Sequence, residues 1–430
     1  VADAFATTPA QARESEWLFD ANIALQRPLH ARYVLLRAQA LGFPSPPWQV
    51  LAVAMEKNDR DTLKQLLESD LGRTLSATDR LAIMRQLDRR QDARALAETL
   101  TQAGEDHRQD LVELAQDMPH RLSSSASYQR LGELEIAEQE AVYQLSGERF
   151  WGQLTLVQRQ LDAPSNDVDS SGITDERGGE LTLGWNGPRL DTQLNVGQLQ
   201  TDRVNRTYGS ATQRWQATSR LAGTLYGEIS QTSEINERLR LLAIEDRVGA
   251  QLEWTPTARD TLTLNASHID LRSRETRASL GEGYRVDAAW RHALIKGATR
   301  QLEISLLANH ADYRVNDALP DDIQRRLAAD TQATDLLTDT SSFMGVGVTL
   351  RRSNPYATSP TLASPMLEVG LEAGYRLPDN DIGLNARLAV GSRLFGNDAL
   401  SLQLEADQGS GSEGDTSLGV SLTYHYFLGH

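Results

Sequence analysis

Apolar side chains recur at every second position over most of this chain, from about residue 125 to its end. The pattern is plain in ELTLGW (180–185), DTQLNVGQ (191–198), VGAQLEW (248–254), TLTLNASH (261–268) and QLEISLLANH (301–310). It continues through VGVTLR (346–351), LEVGLEAGYRL (367–377), IGLNARLAV (382–390) and LSLQLEA (400–406). A period of two is that of a β-strand, whose successive side chains point to opposite faces. With their flanks the runs reach about 10–14 residues, against the 5–6 usual in a soluble sheet, which suits tilted strands crossing a membrane. One parity is apolar in strand after strand: Leu181, Leu183, Trp185; Val248, Ala250, Leu252, Trp254; Tyr284, Val286, Ala288, Trp290.

The connections alternate in length. Tight turns are expected at 186–188, near Gly223, and at 255–260, 296–299 and 396–398. Longer polar gaps fall at 163–178, 203–210, 236–244, 275–281, 316–341 and 409–415. Short turns at one end and long loops at the other are the habit of outer-membrane barrels. The Pro-rich gap 354–365 is too long for its place in the count. Fourteen strands follow residue 148, and 122–147 has room for two more. The expected barrel is therefore sixteen-stranded and antiparallel, with fourteen strands the alternative. Sixteen leave an aqueous lumen, whereas eight would be filled by side chains. Trp151, Trp185, Trp254, Trp290, Tyr375, Tyr424 and Tyr426 sit at strand ends, as aromatic girdles at a lipid interface would. The closing SLTYHYFLGH has Tyr424 and Tyr426 on the apolar parity and Phe427 on the other. A soluble sandwich or propeller is the competing fold, but it needs no regular alternation of loop length.

Residues 1–121 read differently. Their apolar period is helical, and PPWQVLAVAMEKNDRDTLKQLLESD reads as two short helices around a turn at Asn58–Asp59. SATDRLAIMRQLDRRQDARALAETLTQAGED repeats the plan at an offset of 30: Leu51 matches Leu81, Ala52 Ala82, Val53 Ile83, and Leu66 Leu96. Ser76 is the expected N-cap and Gly104 the stop. Stacked helical hairpins of tetratricopeptide-like kind, the last turns of a longer array, fit this pattern. An ordinary helical bundle fits it too. In either arrangement Trp17, Leu36, Trp48 and Leu66 are expected in the core.

Composition narrows the function. The formal charge is −16, of which residues 122–430 contribute −13 with a single lysine, Lys296. A nucleic-acid partner requires a basic surface, so none is expected. There is no cysteine, which removes disulfide and thiolate chemistry. No run approaches the 18 or more apolar residues of a spanning helix. Neither G-x-S-x-G, H-E-x-x-H nor a P-loop occurs, and the eight histidines lack ligand spacing. No enzyme activity, metal or cofactor is expected.

The inward parity is where selection would act. It carries Glu180, Asp191, Glu228, Glu253, Asp287, Glu303, Glu368, Glu372, Glu405 and Asp407. Arg159, Arg247, Arg285, Arg291, Arg351, Arg376, Arg387 and Arg393 share it. Many of these charges would form ladders that stiffen the wall, and the excess of acid would draw cations through the lumen. The longest gap, 316–341, holds a helix-like core of Ile323, Leu327, Leu336 and Leu337. It reads as a plug, with Asp321, Asp322, Asp330, Asp335 and Asp339 ringing the exit.

A helical repeat segment running into an acidic sixteen-stranded barrel that closes on SLTYHYFLGH resembles the exopolysaccharide export porins, above all the PelB family. The likeness spans the chain, as repeats in 1–121 and a barrel in 122–430, and rests on architecture and charge. It implies an outer-membrane porin with a periplasmic N-terminal segment. The porin would passively export a cationic, partly deacetylated amino-sugar polymer for a biofilm matrix. It implies as partners the polysaccharide, the lipid bilayer, a periplasmic polysaccharide-modifying enzyme held by the repeats, and a ring-forming PelC-like outer-membrane lipoprotein. The acids Glu253, Glu368, Glu372, Asp321 and Asp322 suit such a polymer. A porin for another polymer, cellulose for instance, and a non-conducting adhesin or receptor barrel remain alternatives.

Overall fold

The computed structural model describes residues 9–24, 28–43, 45–57, 59–87, 89–105, 107, 111, 114, 120–147, 149–163, 168–187, 189–218, 220–257, 259–296, 300–328, 331, 336–337, 340–352, 365–377, 380–395, 398–408 and 416–428. The chain divides into two compact units, 1–114 and 115–430.

The first unit is helical: α1 (Pro9–Ala24), α2 (Pro28–Ala40), α3 (Pro47–Lys57), α4 (Arg60–Glu68), α5 (Ala77–Gln86) and α6 (Arg90–Gln102). Each helix packs on the next, so the pairs α3–α4 and α5–α6 follow the two segments that repeat in sequence. Asp59 caps α4, and Ser76 Oγ accepts from the Asp79 amide at 3.1 Å to cap α5. Beyond α6 the chain turns through Gly104 at φ +92°, a backbone that glycine adopts without strain. Leu51, Leu63, Leu66, Leu81 and Ile83 are buried. The expected core is corrected at three positions: Trp17, Leu36 and Trp48 are exposed, and of that set only Leu66 is buried. The inward stripe of α1 and α2 runs instead through Phe19, Ala31 and Leu35, with Trp48 edge-on to Phe19.

The second unit is a closed barrel of sixteen strands, each antiparallel to its neighbours. The first eight are β1 (Arg121–Leu131), β2 (Leu134–Ser146), β3 (Phe150–Asp162), β4 (Asp175–Asn186), β5 (Leu190–Gln200), β6 (Asn205–Thr218), β7 (Leu221–Thr232) and β8 (Ala243–Trp254). The second eight are β9 (Asp260–Ser273), β10 (Ser279–Lys296), β11 (Arg300–Val315), β12 (Thr340–Arg352), β13 (Met366–Leu377), β14 (Asp381–Ser392), β15 (Asp398–Gln408) and β16 (Thr416–Phe427). Closure is made by β1 and β16, from Arg121 opposite Phe427 to Leu131 opposite Ser417. Closing the sheet leaves no edge with unpaired backbone groups, which a bilayer core would not tolerate.

The side-chain alternation sorts the wall into two faces. Leu181, Leu183, Val248, Leu252, Leu306, Val346, Leu371, Leu384 and Leu422 point outward, with Leu371 59% exposed and Val248 60%. So broad an apolar exposure belongs against lipid rather than water. Among the described residues no helix is long and apolar enough to cross a membrane; this chain would cross with strands. Trp185, Trp254, Trp290, Tyr424 and Tyr426 lie on the outward parity toward the end of the barrel that holds Arg121 and Phe427, here the terminal end. Tyr128, Tyr284 and Tyr375 do so toward the loop end. Trp151 departs from the expected girdle. Its strand begins at Phe150, which is 69% exposed, so Trp151 takes the inward parity.

Turn lengths follow the expected plan with three changes. The tight turn read near Gly223 lies at 219–220, and Gly223 is inside β7. Two loop-end connections, 132–133 and 378–380, are short. The gaps read as 203–210 and 275–281 shrink to 201–204 and 274–278, because β6 and β10 begin within them. The irregular gap at 354–365 lies almost wholly outside the described residues.

Candidate functional site

All eight acids singled out for the passage face the interior, because each takes the parity opposite the lipid-facing leucines and valines of its strand. Five meet arginines across or along the wall. Glu228 lies 3.8 Å from Arg247, Glu253 3.5 Å from Arg214, and Asp287 3.0 Å from Arg285. Glu303 lies 3.9 Å from Arg291, while Glu368 takes Arg351 at 2.7 Å and Arg387 at 3.5 Å. These are the ladders foreseen for a hydrated wall. Ion pairs this open to water contribute little to stability and mainly fix side-chain positions.

The other three converge. Register places Glu372, Asn385 and Asp407 on one row across β13, β14 and β15, with Arg387 and Glu405 on the adjoining inward row. Asn385 Nδ2 donates to Glu405 Oε1 at 3.3 Å and to Asp407 Oδ2 at 3.1 Å. Three carboxylates, one on β13 and two on β15, thus flank one amide and one guanidinium on β14.

The loop end of the interior is built quite differently. Inward residues there turn apolar: Leu134, Ile136, Leu161, Ile269, Leu271, Ala311 and Tyr313 are buried. They pack against Val168 and Ile173 of the β3–β4 loop, against Ile235, Leu239, Leu241 and Leu242 of the β7–β8 loop with its helix Glu237–Leu242, and against Ile323, Leu327, Leu336 and Leu337 of the β11–β12 loop. The loops are also stitched by polar bonds. Val168 and Leu327 form a β-bridge, Arg326 Nη1 donates to the Asp169 carbonyl at 2.6 Å, and Asn236 Nδ2 donates to the Leu336 carbonyl at 2.8 Å. The result, here termed the plug, is a packed group of loops that shares a hydrophobic core with the loop end of the wall. Among the described residues, β12 to β16 contribute nothing to that core, so the acid-rich wall of β13–β15 is left clear of it.

At the base of the plug lies Glu176, fully buried on β4. Arg240 of the plug helix donates to both its carboxylate oxygens, at 3.3 and 3.2 Å, Arg274 of the β9–β10 loop bonds Oε1, and Arg159 of β3 stands 3.6 Å away. Burial pushes the Arg274 guanidinium below its usual range, Glu176 beside it pulling the other way. One carboxylate therefore ties two loops to the wall. Nothing in the local sequence marks Glu176, since the two loop arginines that bond it lie 64 and 98 residues further along the chain.

Of the acids expected to ring the exit, Asp321 is exposed. Asp322 is buried, bonded to Ser273 Oγ and to Thr276 Oγ1 at 3.1 Å, and so helps to dock the loop. Asp330, Asp335 and Asp339 lie outside the described residues. Among the described residues one group could hold a metal ion. His268, Asp270 and Glu282 place one ligand atom each within 4.8 Å of one another. They sit on the outward parity at the loop end, away from the lumen.

A closed sixteen-stranded cylinder with a greasy exterior, a charged interior and loops folded into one mouth is a transport-type outer-membrane β-barrel. The family model described as PelB, C-terminal beta barrel domain, matches residues 116–427. The chain belongs to that family. Comparison with curated proteins gives no match. Among solved structures, one described as a bacterial polysaccharide outer membrane secretin aligns with a TM-score of 0.54 at 7% identity, covering 72% of this chain and 98% of that one. At that identity the likeness is one of fold. OpdO of Pseudomonas aeruginosa aligns at a TM-score of 0.38 and 10% identity, covering 72% of this chain and 95% of its own. OpdL of the same organism aligns at 0.35 and 13%, covering 73% and 99%.

Proposed function

We propose that this barrel is an outer-membrane porin that exports a cationic, partly deacetylated amino-sugar exopolysaccharide for a biofilm matrix. Passage is passive, along the acidic wall of β13–β15. The observation that carries the reading is the convergence of Glu372, Glu405 and Asp407 on the part of the lumen that the plug core leaves clear. A focused negative field raises the local concentration of cations and repels anions. Glu228, Glu253, Asp287, Glu303 and Glu368 extend the field around the wall, although their arginines offset it locally. Membership of the PelB barrel family and the shared fold with a polysaccharide secretin support a polysaccharide as cargo. The plug, including Asp321 and Asp322, gates the mouth. The helical segment faces the periplasm, where it docks a polysaccharide-modifying enzyme, and a PelC-like lipoprotein ring lies beneath the barrel. The terminal end is then periplasmic and the loop end external.

The test is charge reversal in cells that make the polymer. E372K/E405K/D407K should abolish export of the cationic polymer while the barrel still migrates as a folded, heat-modifiable species. Export at the wild-type level from that variant would sink the proposal.

A further inference from the structure

Three partly accessible inward aromatic residues lie flat over glycines of the lumen wall: Tyr208 over Gly197 toward the loop end, and Trp151 and Tyr226 nearer the terminal end. The site where a Cβ of Gly184 would stand is 2.0, 2.1 and 2.5 Å from Cε2, Nε1 and Cζ2 of Trp151. The corresponding site at Gly249 is 2.3, 2.3 and 2.8 Å from Cζ, Oη and Cε2 of Tyr226. Three bonded atoms so close to one point present a face, not an edge. Each ring is therefore laid over a glycine on a neighbouring strand, and no other residue would leave room for it. The opposite face of each ring looks into the interior, and each side chain keeps part of its surface accessible. Tyr226 is further fixed by its hydroxyl, which donates to Asn265 Oδ1 at 3.0 Å.

Trp151 and Tyr226 also share one row of the sheet. Strand pairing runs Trp151, Gly184, Gln193, Thr212, Tyr226. Four strand spacings separate the two aromatics, about 19 Å at the usual inter-strand distance. Between them the row offers an amide and a hydroxyl. The row starts near the terminal end, where Trp151 pairs with Ser146 at the close of β2.

We propose that Trp151 and Tyr226 are stacking platforms for the pyranose rings of the exported polymer, with Gln193 and Thr212 meeting its hydroxyl groups between them. A sugar ring presents a face of C–H bonds that lies well on a flat π-system, and an ammonium substituent is drawn to the same face. The platforms belong to the entry half of the lumen, on strands across the barrel from the acidic wall. This inference rests on the export reading and deepens it.

The structure supplies its own control. Trp215 lies over Gly223 in the same manner, with Cζ2, Cε2 and Cη2 at 2.1, 2.4 and 2.7 Å from the Cβ site, but on the lipid-facing side. If such joints only brace the sheet, the inward and outward ones should behave alike.

The experiment measures binding of a glucosamine hexamer to the detergent-solubilised protein by calorimetry. W151L and Y226L should each weaken binding about fivefold, the worth of one cation–π contact. Y226F, which keeps the ring, should bind within a factor of about two of wild type. W215L should bind like wild type. Wild-type affinity in both W151L and Y226L, or an equal loss in W215L, overturns the platform assignment alone. A wild-type protein that does not bind the hexamer overturns the export reading and the platforms with it.

Discussion

Glu176 shows how much one side chain can decide. It has no exposed surface and faces the guanidinium groups of Arg159, Arg240 and Arg274. Removing one member of a buried ion pair costs about 3–5 kcal/mol, because the other charge is left without compensation. E176Q should therefore loosen the helix Glu237–Leu242, read as faster amide exchange across that helix, while exchange in β13–β15 stays slow. Wild-type exchange in the helix would show that the cluster does not hold the plug. Residues of this kind were beyond the sequence. The inward parity of Glu228, Glu372 or Asp407 follows from a count of two along one strand, and needs no knowledge of other strands. The partners of Glu176, and the glycines under Trp151 and Tyr226, follow only from register between strands. Trp151 stands at a strand end, as expected of a girdle residue, but its parity sets it in the lumen, because one step along a strand turns a side chain from lipid to lumen.

At the scale of the element, the β11–β12 loop is the most exposed to test. Ile323, Leu327, Leu336 and Leu337 all enter the plug core, and Arg326 ties the loop to Glu275 and to the Asp169 carbonyl. Deleting 316–341 should strip one side from that core and raise single-channel conductance severalfold, admitting larger solutes. Unchanged conductance would mean that the loop does not obstruct the path. The sequence made this loop legible through its length and its apolar spacing. It did not disclose the cooperation of the β3–β4, β7–β8 and β11–β12 loops, whose apolar residues are too few in any one of them to look like a core. Strands were easier, since long uninterrupted alternation has few physical explanations other than a two-faced wall. Helix ends were also legible where Ser76 and Gly104 supply capping chemistry. The exposed Trp17, Leu36 and Trp48 show the limit of reading burial from residue type alone.

At the scale of the molecule, a closed barrel with an apolar outer surface and charged inward side chains carries most of the net negative charge, in residues 122–430. Cations should pass this barrel more readily than anions. Neutralising the convergent acids in E372Q/E405Q/D407N should bring the reversal potential in a salt gradient nearer to zero than in wild type, and an unaltered potential would assign selectivity to other residues. The most direct measurement is the reversal potential of the purified wild-type chain in a planar bilayer under a potassium chloride gradient. The account predicts steady channels whose potential reports potassium as the favoured ion. Channels that favour chloride, or a chain that fails to enter the bilayer at all, would contradict it.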